Sequence, residues 1–95
     1  MIVRVVKLTI QPQLLTQFLD IYLQSQENIK HFEGCVELNV FHDYEKPNIL
    51  FTISKWEHVN HLEAYRNSPF FKKVWTAVKP MFAAPAIANT LTSFS

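Results

Sequence analysis

A lone cysteine, Cys35, is the entire thiol content of the chain, and it follows a lone glycine, Gly34. One thiol excludes an intrachain disulfide and any zinc or iron–sulfur site built on several cysteines. Neither sign of charge dominates: nine Lys and Arg against eight Asp and Glu give a formal +1. That balance supplies no basic field to hold nucleic acid. Charged residues cut every apolar run well short of the roughly 18 residues that a membrane helix needs. No linker-like Gly/Ser stretch, low-complexity segment or internal repeat divides the sequence. The opening MIVRVVKLTI lacks the basic, apolar and small-residue sections of a signal peptide, and no asparagine sits in an N-x-[ST] sequon. Together with the free thiol, these features point to a cytoplasmic protein.

What remains is apolar. Hydrophobic residues make up 48% of the chain and aromatics 14%, too greasy for disorder and rich for one small core. Residues 1–95 are long enough for a single domain and too short for two. A core of that size is marginal alone. With disulfides excluded, the expected support is a second copy of the chain.

Periodicity gives the order of elements. Ile2 to Ile10 is dense in β-branched side chains and reads as a strand. Pro12 suits the first turn of a helix, and Leu14, Leu15, Phe18, Leu19, Tyr22, Ile29 and Phe32 then recur at helical spacing. Gly34 stops that helix, as a residue in the left-handed region. Cys35 to Phe41 and Ile49 to Trp56 alternate as strands around the turn Asp43–Asn48. Helical pattern returns near Val59 and breaks at Asn67-Ser68-Pro69, where Ser68 can cap and Pro69 can start the next turn. A second amphipathic stretch runs from Phe70 to Phe82, and Ile87 to Phe94 reads as a last strand. The order β-α-β-β-α-β predicts an α+β, ferredoxin-like antiparallel sheet with its helices on one face.

That arrangement leaves the other face of the sheet bare. Alternation is read here as placing Leu50, Thr52, Ser54 and Trp56 on the bare face, beside Phe41, Glu37 and Asn39. Such a face exposes more apolar area than a small monomer tolerates in one patch. A second sheet from another copy would close it, and the mixed lining predicts a ligand chamber shared by two chains, as in a dimeric α+β barrel.

Several short motifs then fall into a familiar order: Phe32-Glu33-Gly34-Cys35, Ser54-Lys55-Trp56-Glu57, His61-Leu62-Glu63-Ala64-Tyr65-Arg66 and Ser68-Pro69-Phe70-Phe71. Over nearly the whole chain they resemble the antibiotic biosynthesis monooxygenase (ABM) family. The resemblance implies a homodimeric α+β barrel. For activity it implies a mixed field, because members oxygenate quinol-like aromatics without metal or flavin, degrade haem, or handle small sugar-derived molecules. Fold membership alone does not choose among these. The haem branch relies on an asparagine in the first strand and a ligating histidine in the later helix. Here the corresponding positions hold Val6 and Trp75, so haem is rejected.

The candidate residues follow, each with its structural alternative. The resemblance gives Trp56 a place lining the cavity, where its indole can stack on a flat ligand; otherwise it fills the dimer interface. Thr52 stands near where aromatic-oxygenating relatives place an amide, and Asn39 on the neighbouring strand is the substitute polar contact. Arg4 interrupts an apolar strand, so it either holds a phenolate or carboxylate or pairs with Glu37. Tyr65 and Arg66 occupy a place where many relatives carry histidine, at the pocket mouth or in the helix stripe. His42, near the turn, is the candidate base. Phe41, Leu50, Thr52 and Trp75 are the expected substrate contacts. His58 and His61 lack a third metal ligand and read as surface residues.

The function read from this sequence is a cofactor-independent monooxygenase that oxidises a small phenol or hydroquinone with O₂. No flavin or nucleotide motif is present, and neither cofactor nor metal is expected. Trp56 stacks, Arg4 or Asn39 stabilises negative charge, and His42 or Tyr65 accepts the phenolic proton. The rivals are a dimer that binds a small hydrophobic ligand without chemistry, and an isomerase-like enzyme of a small polar metabolite.

Overall fold

The β-branched run at the start of the chain forms β1, Ile2–Thr9, in the computed structural model, which describes residues 1–94. Pro12 opens a 3-10 turn, Pro12–Leu14, that leads into α1, Leu15–Lys30. Phe18, Tyr22 and Ile29 recur along one face of α1 and are buried, which is the amphipathic spacing at work. Gly34 then turns the chain at φ +86°, and a Cβ there would overlap the imidazole of His61. Both facts require glycine.

The hairpin follows as β2, Cys35–His42, and β3, Ile49–Trp56. Asp43 shapes its turn: Oδ2 accepts from the backbone N–H of Glu45 at 3.0 Å and of Lys46 at 2.9 Å. Next come α2, Val59–Arg66, and α3, Pro69–Val78, separated at the expected break. Ser68 caps α3 by accepting from Phe71 N–H at 3.1 Å, and Pro69 fills the first helical position. A second 3-10 turn, Lys79–Met81, precedes β4, Ile87–Thr92. The last strand ends two residues before the expected Phe94 because Thr92 pairs with Ile2, where β1 itself begins. No helix among the described residues is long and apolar enough to cross a membrane.

The four strands form one antiparallel sheet in the order β2-β3-β1-β4, and the helices cover one face, giving the α+β ferredoxin-like architecture. Leu8, Ile10 and Leu50 from the sheet side meet Phe18, Tyr22, Val78 and Met81 in the core.

The facing of the strands reverses the expectation. Leu50, Thr52, Ser54 and Trp56 lie under the helices, with Leu50 and Trp56 both 0% exposed. Register explains the error. Phe41 lies opposite Phe51, so it shares that residue's face, whereas Leu50 lies opposite Leu8 and His42. Phe41 therefore never shares a face with Leu50 or Trp56. A bulge between Cys35 and Glu37 inserts Val36 and shifts the register at that corner. The uncovered face instead carries Val3, Val5, Phe51, Ile53, Phe41 and Leu91, with the Lys55–Glu37 ion pair at 3.5 Å.

Candidate functional site

Between helices and sheet lies a chamber of about 360 Å³, built entirely by one chain. Its floor is the helix-facing row of the two central strands. Arg4 is paired across the ladder with Ser54, and Val6 with Thr52. Its walls are Tyr22 of α1, Tyr65 and Arg66 of α2, and Phe71 and Trp75 of α3. Ala86 and Ala88 line the remaining side, and every residue of β4 is exposed. Small side chains on an edge strand without a covering helix make this the open side of the chamber.

A continuous aromatic series runs from the end of β3 through the helical wall. Trp56 stacks on Tyr65 with ring centroids 5.2 Å apart, and Tyr65 meets Phe71 edge-to-face at 5.1 Å. Phe71 in turn stacks on Trp75 at 5.7 Å and 12°, and Trp75 meets Phe82 edge-to-face at 5.4 Å. Rings held on both sides keep their orientation, so the wall presents fixed apolar faces to a ligand.

Polar groups are few, and three of the hydroxyls are uncommitted. Tyr22, Tyr65 and Thr52 line the chamber, and their hydroxyls bond to no described residue. Burial pushes the Tyr22 phenol up to about 12, with a smaller contribution from Cys35, and pushes Tyr65 up as well. Both are therefore donors at neutral pH and not proton acceptors. Arg4 donates from Nη1 to Thr90 Oγ1 at 2.7 Å, the one side-chain hydrogen bond it makes among the described residues. Burial, and then the Arg66 charge, lower the Arg4 pKa from its ordinary value, while Glu63 opposes them. Among the described residues the lining holds two guanidiniums and no carboxylate or imidazole.

The residues predicted from sequence divide into three groups. Arg4, Thr52, Tyr65 and Trp75 do converge on the chamber, as does Arg66. Trp56 and Leu50 lie on the same side but behind the lining. The Trp56 N–H is spent on Ser54 Oγ at 3.0 Å, and Tyr65 separates its ring from the chamber. Phe71 and Trp75 line the chamber where Trp56 does not. Asn39, Phe41 and His42 are elsewhere. Asn39 is on the uncovered face and donates to Glu37 Oε1 at 2.7 Å, and Phe41 is exposed beside it in β2. His42 is exposed at the hairpin, its Nδ1 2.7 Å from the Pro47 carbonyl oxygen, so it cannot serve the chamber as a base. The alternative Arg4–Glu37 pair is ruled out by the same alternation, because Glu37 points away from Arg4 and meets Lys55. His58 caps α2 by accepting from Asn60 N–H at 3.0 Å.

Sequence reasoning missed Tyr22 and Phe71 as site residues. Tyr22 follows Phe18 by one helical turn on a buried stripe, and a hydroxyl on such a stripe was the available signal.

The model of the family described as antibiotic biosynthesis monooxygenase, ABM, matches residues 1–76. The chain belongs to the ABM family. Among solved structures, this ABM chain is similar to a crystal structure of an antibiotic biosynthesis monooxygenase, with a TM-score of 0.94, 15% identity and both chains fully covered. It is also similar to a conserved protein from Methanosarcina mazei Go1, with a TM-score of 0.88 and 23% identity over 95% of this chain and 90% of that one. A third similar structure is Rv0793 from Mycobacterium tuberculosis, at 0.91 and 12%, covering 99% and 95%. No curated protein matches the sequence. At these identities the neighbours establish the ABM fold, and the chemistry must be argued from the chamber.

Proposed function

We propose that this ABM protein is a cofactor-independent monooxygenase that oxidises a small, flat phenol or hydroquinone with O₂ inside the chamber. The observation that carries this reading is the pairing of a fixed aromatic wall with cationic and hydroxyl donors in a half-enclosed space. The volume, about 360 Å³, is at the lower end for ligand sites and suits one or two fused rings.

The lining can make a phenolate without taking its proton directly. Arg4 stabilises the anion by charge, and the Tyr22 and Tyr65 hydroxyls donate to it, in surroundings that weaken competing water. The phenol's proton leaves through the open side. The phenolate then gives one electron to O₂, and the semiquinone and superoxide radicals combine into a C–O bond. The peroxide takes up a proton, the O–O bond breaks, and water leaves with the ring hydrogen. One oxygen atom ends in the product and the other in water, so a hydroquinone and O₂ balance a hydroxyquinone and H₂O. The substrate supplies all the electrons.

The working unit in this reading is a homodimer closed through the uncovered sheet face. Phe41, Ile87 and Leu91 are 53, 56 and 49% exposed there in the protomer, an apolar patch that calls for a partner. The test of function is O₂ uptake with a panel of hydroquinones, with ¹⁸O₂ used to follow the label. The expected result is uptake above the uncatalysed rate and one labelled oxygen per product. Binding with uptake at the uncatalysed rate favours the second reading, a ligand-binding dimer without chemistry, which the absence of carboxylate and imidazole from the described lining supports. An isomerase of a polar metabolite is not favoured, because Glu37, the acid it needed inside, lies outside.

A further inference from the structure

Two cations face this chamber where one phenolate needs only one. Arg4 comes from the centre of the sheet and Arg66 from the end of α2, so the fold brings them together from distant parts of the chain. Two like charges that face one chamber repel each other unless an anion joins them. The protein supplies little of that anion. Glu63 lies 3.6 Å from Arg66 Nη1, one turn back on the same exposed helix surface, and its charge also acts on Arg4, whose side chain among the described residues hydrogen-bonds only the neutral hydroxyl of Thr90. Thr90 takes one N–H of the fork and so fixes the direction of the rest. A guanidinium fixed in this way matches the two oxygens of a carboxylate.

We propose that Arg4 and Arg66 together hold a carboxylate carried by the substrate, so that the chamber takes aromatic carboxylic acids in preference to neutral phenols. This rests on the chamber being the substrate site, as argued above, but not on its using O₂. The ring lies against Phe71 and Trp75, and the carboxylate faces the arginines. A phenolic oxygen elsewhere on the ring takes its hydrogen bonds from Tyr22 and Tyr65, and Arg4 acts on it only through its charge. Glu63 competes with the incoming carboxylate for Arg66 and so sets how strongly the pair binds.

Isothermal titration with 2-naphthoate, 6-hydroxy-2-naphthoate and 2-naphthol at neutral pH tests the assignment. Both acids are expected to bind about tenfold or more tighter than 2-naphthol, the size of a charge-assisted contact. Arg4→Gln and Arg66→Gln should each remove most of that preference, and Arg66→Gln should change 2-naphthol affinity by no more than about twofold. Arg66 is an exposed helix-end residue, so its variant stays informative if the Arg4 variant fails to fold. Glu63→Gln should raise the preference for the acids. Equal affinity for acid and naphthol, or a preference that survives in the arginine variants, overturns the proposal. Failure of all three compounds to bind the unmodified chain overturns it together with the chamber. A preference that follows the arginines, with no O₂ uptake from any hydroquinone, upholds the carboxylate site while rejecting the oxygenase.

Discussion

The two faces of the sheet divide polarity in the opposite way from a simple core. Along β3 the row under the helices reads Leu50, Thr52, Ser54, Trp56, while the uncovered row reads Ile49, Phe51, Ile53, Lys55. The greasier row is thus the one without helices. A face that encloses a chamber needs hydroxyls and cations for a ligand, whereas a face that packs against another sheet needs only complementary apolar surface. The lesson is that hydrophobicity alone does not tell which row a helix covers.

The largest test of this contrast sets Trp56 against Phe41. Trp56 is wholly buried, wedged between Phe32 and Tyr65, and Trp56→Ala should cost about 3–5 kcal/mol in chemical denaturation at any protein concentration. Phe41→Ala should cost the protomer less than about 1 kcal/mol, and its effect should vary with concentration as a dimer contact does. Gly34→Ala comes next, at about 1–3 kcal/mol, because the left-handed φ disfavours any side chain. Removing the His61 ring as well should recover only the part due to overlap. The third test fills the chamber. Val6→Phe should weaken 2-naphthol binding about tenfold or more with little change in melting temperature, whereas Val5→Phe on the other face should leave binding within about twofold.

The smallest effect is a pH effect. Tyr22 and Tyr65 hold their protons more tightly folded than unfolded, so their contribution to stability is complete below pH 10, the ordinary tyrosine value. It is lost as pH rises through the folded value, about 12 for Tyr22. Melting temperature should therefore fall more steeply above pH 10 than in Tyr22→Phe.

Much of the architecture was legible because local signals agreed with one another. Pro12, Gly34 and Ser68-Pro69 punctuate the chain where the structure does, each through a fixed φ, a left-handed turn or a cap. The site was legible in part. Arg4 stood out as a charge in an apolar strand, and Thr52, Tyr65 and Trp75 reach the chamber as named residues. Their setting was not legible. Alternation groups the residues of a strand into two rows but leaves open which row meets the helices, and both rows here carry large apolar side chains. That one ambiguity put Trp56 and Leu50 on the wrong face. It also drew in Asn39 and Phe41, which register ties to Ile53 and Phe51 instead. His42 was chosen for its chemistry alone, and its ring is spent on the hairpin.

A crystal structure of the full chain soaked with 6-hydroxy-2-naphthoate tests the central claim most directly. The account predicts ligand density inside one protomer, its ring against Phe71 and Trp75 and above Val6. Density on the outer face of the sheet, against Phe41 and Phe51, with the inner chamber free of ligand, would contradict it.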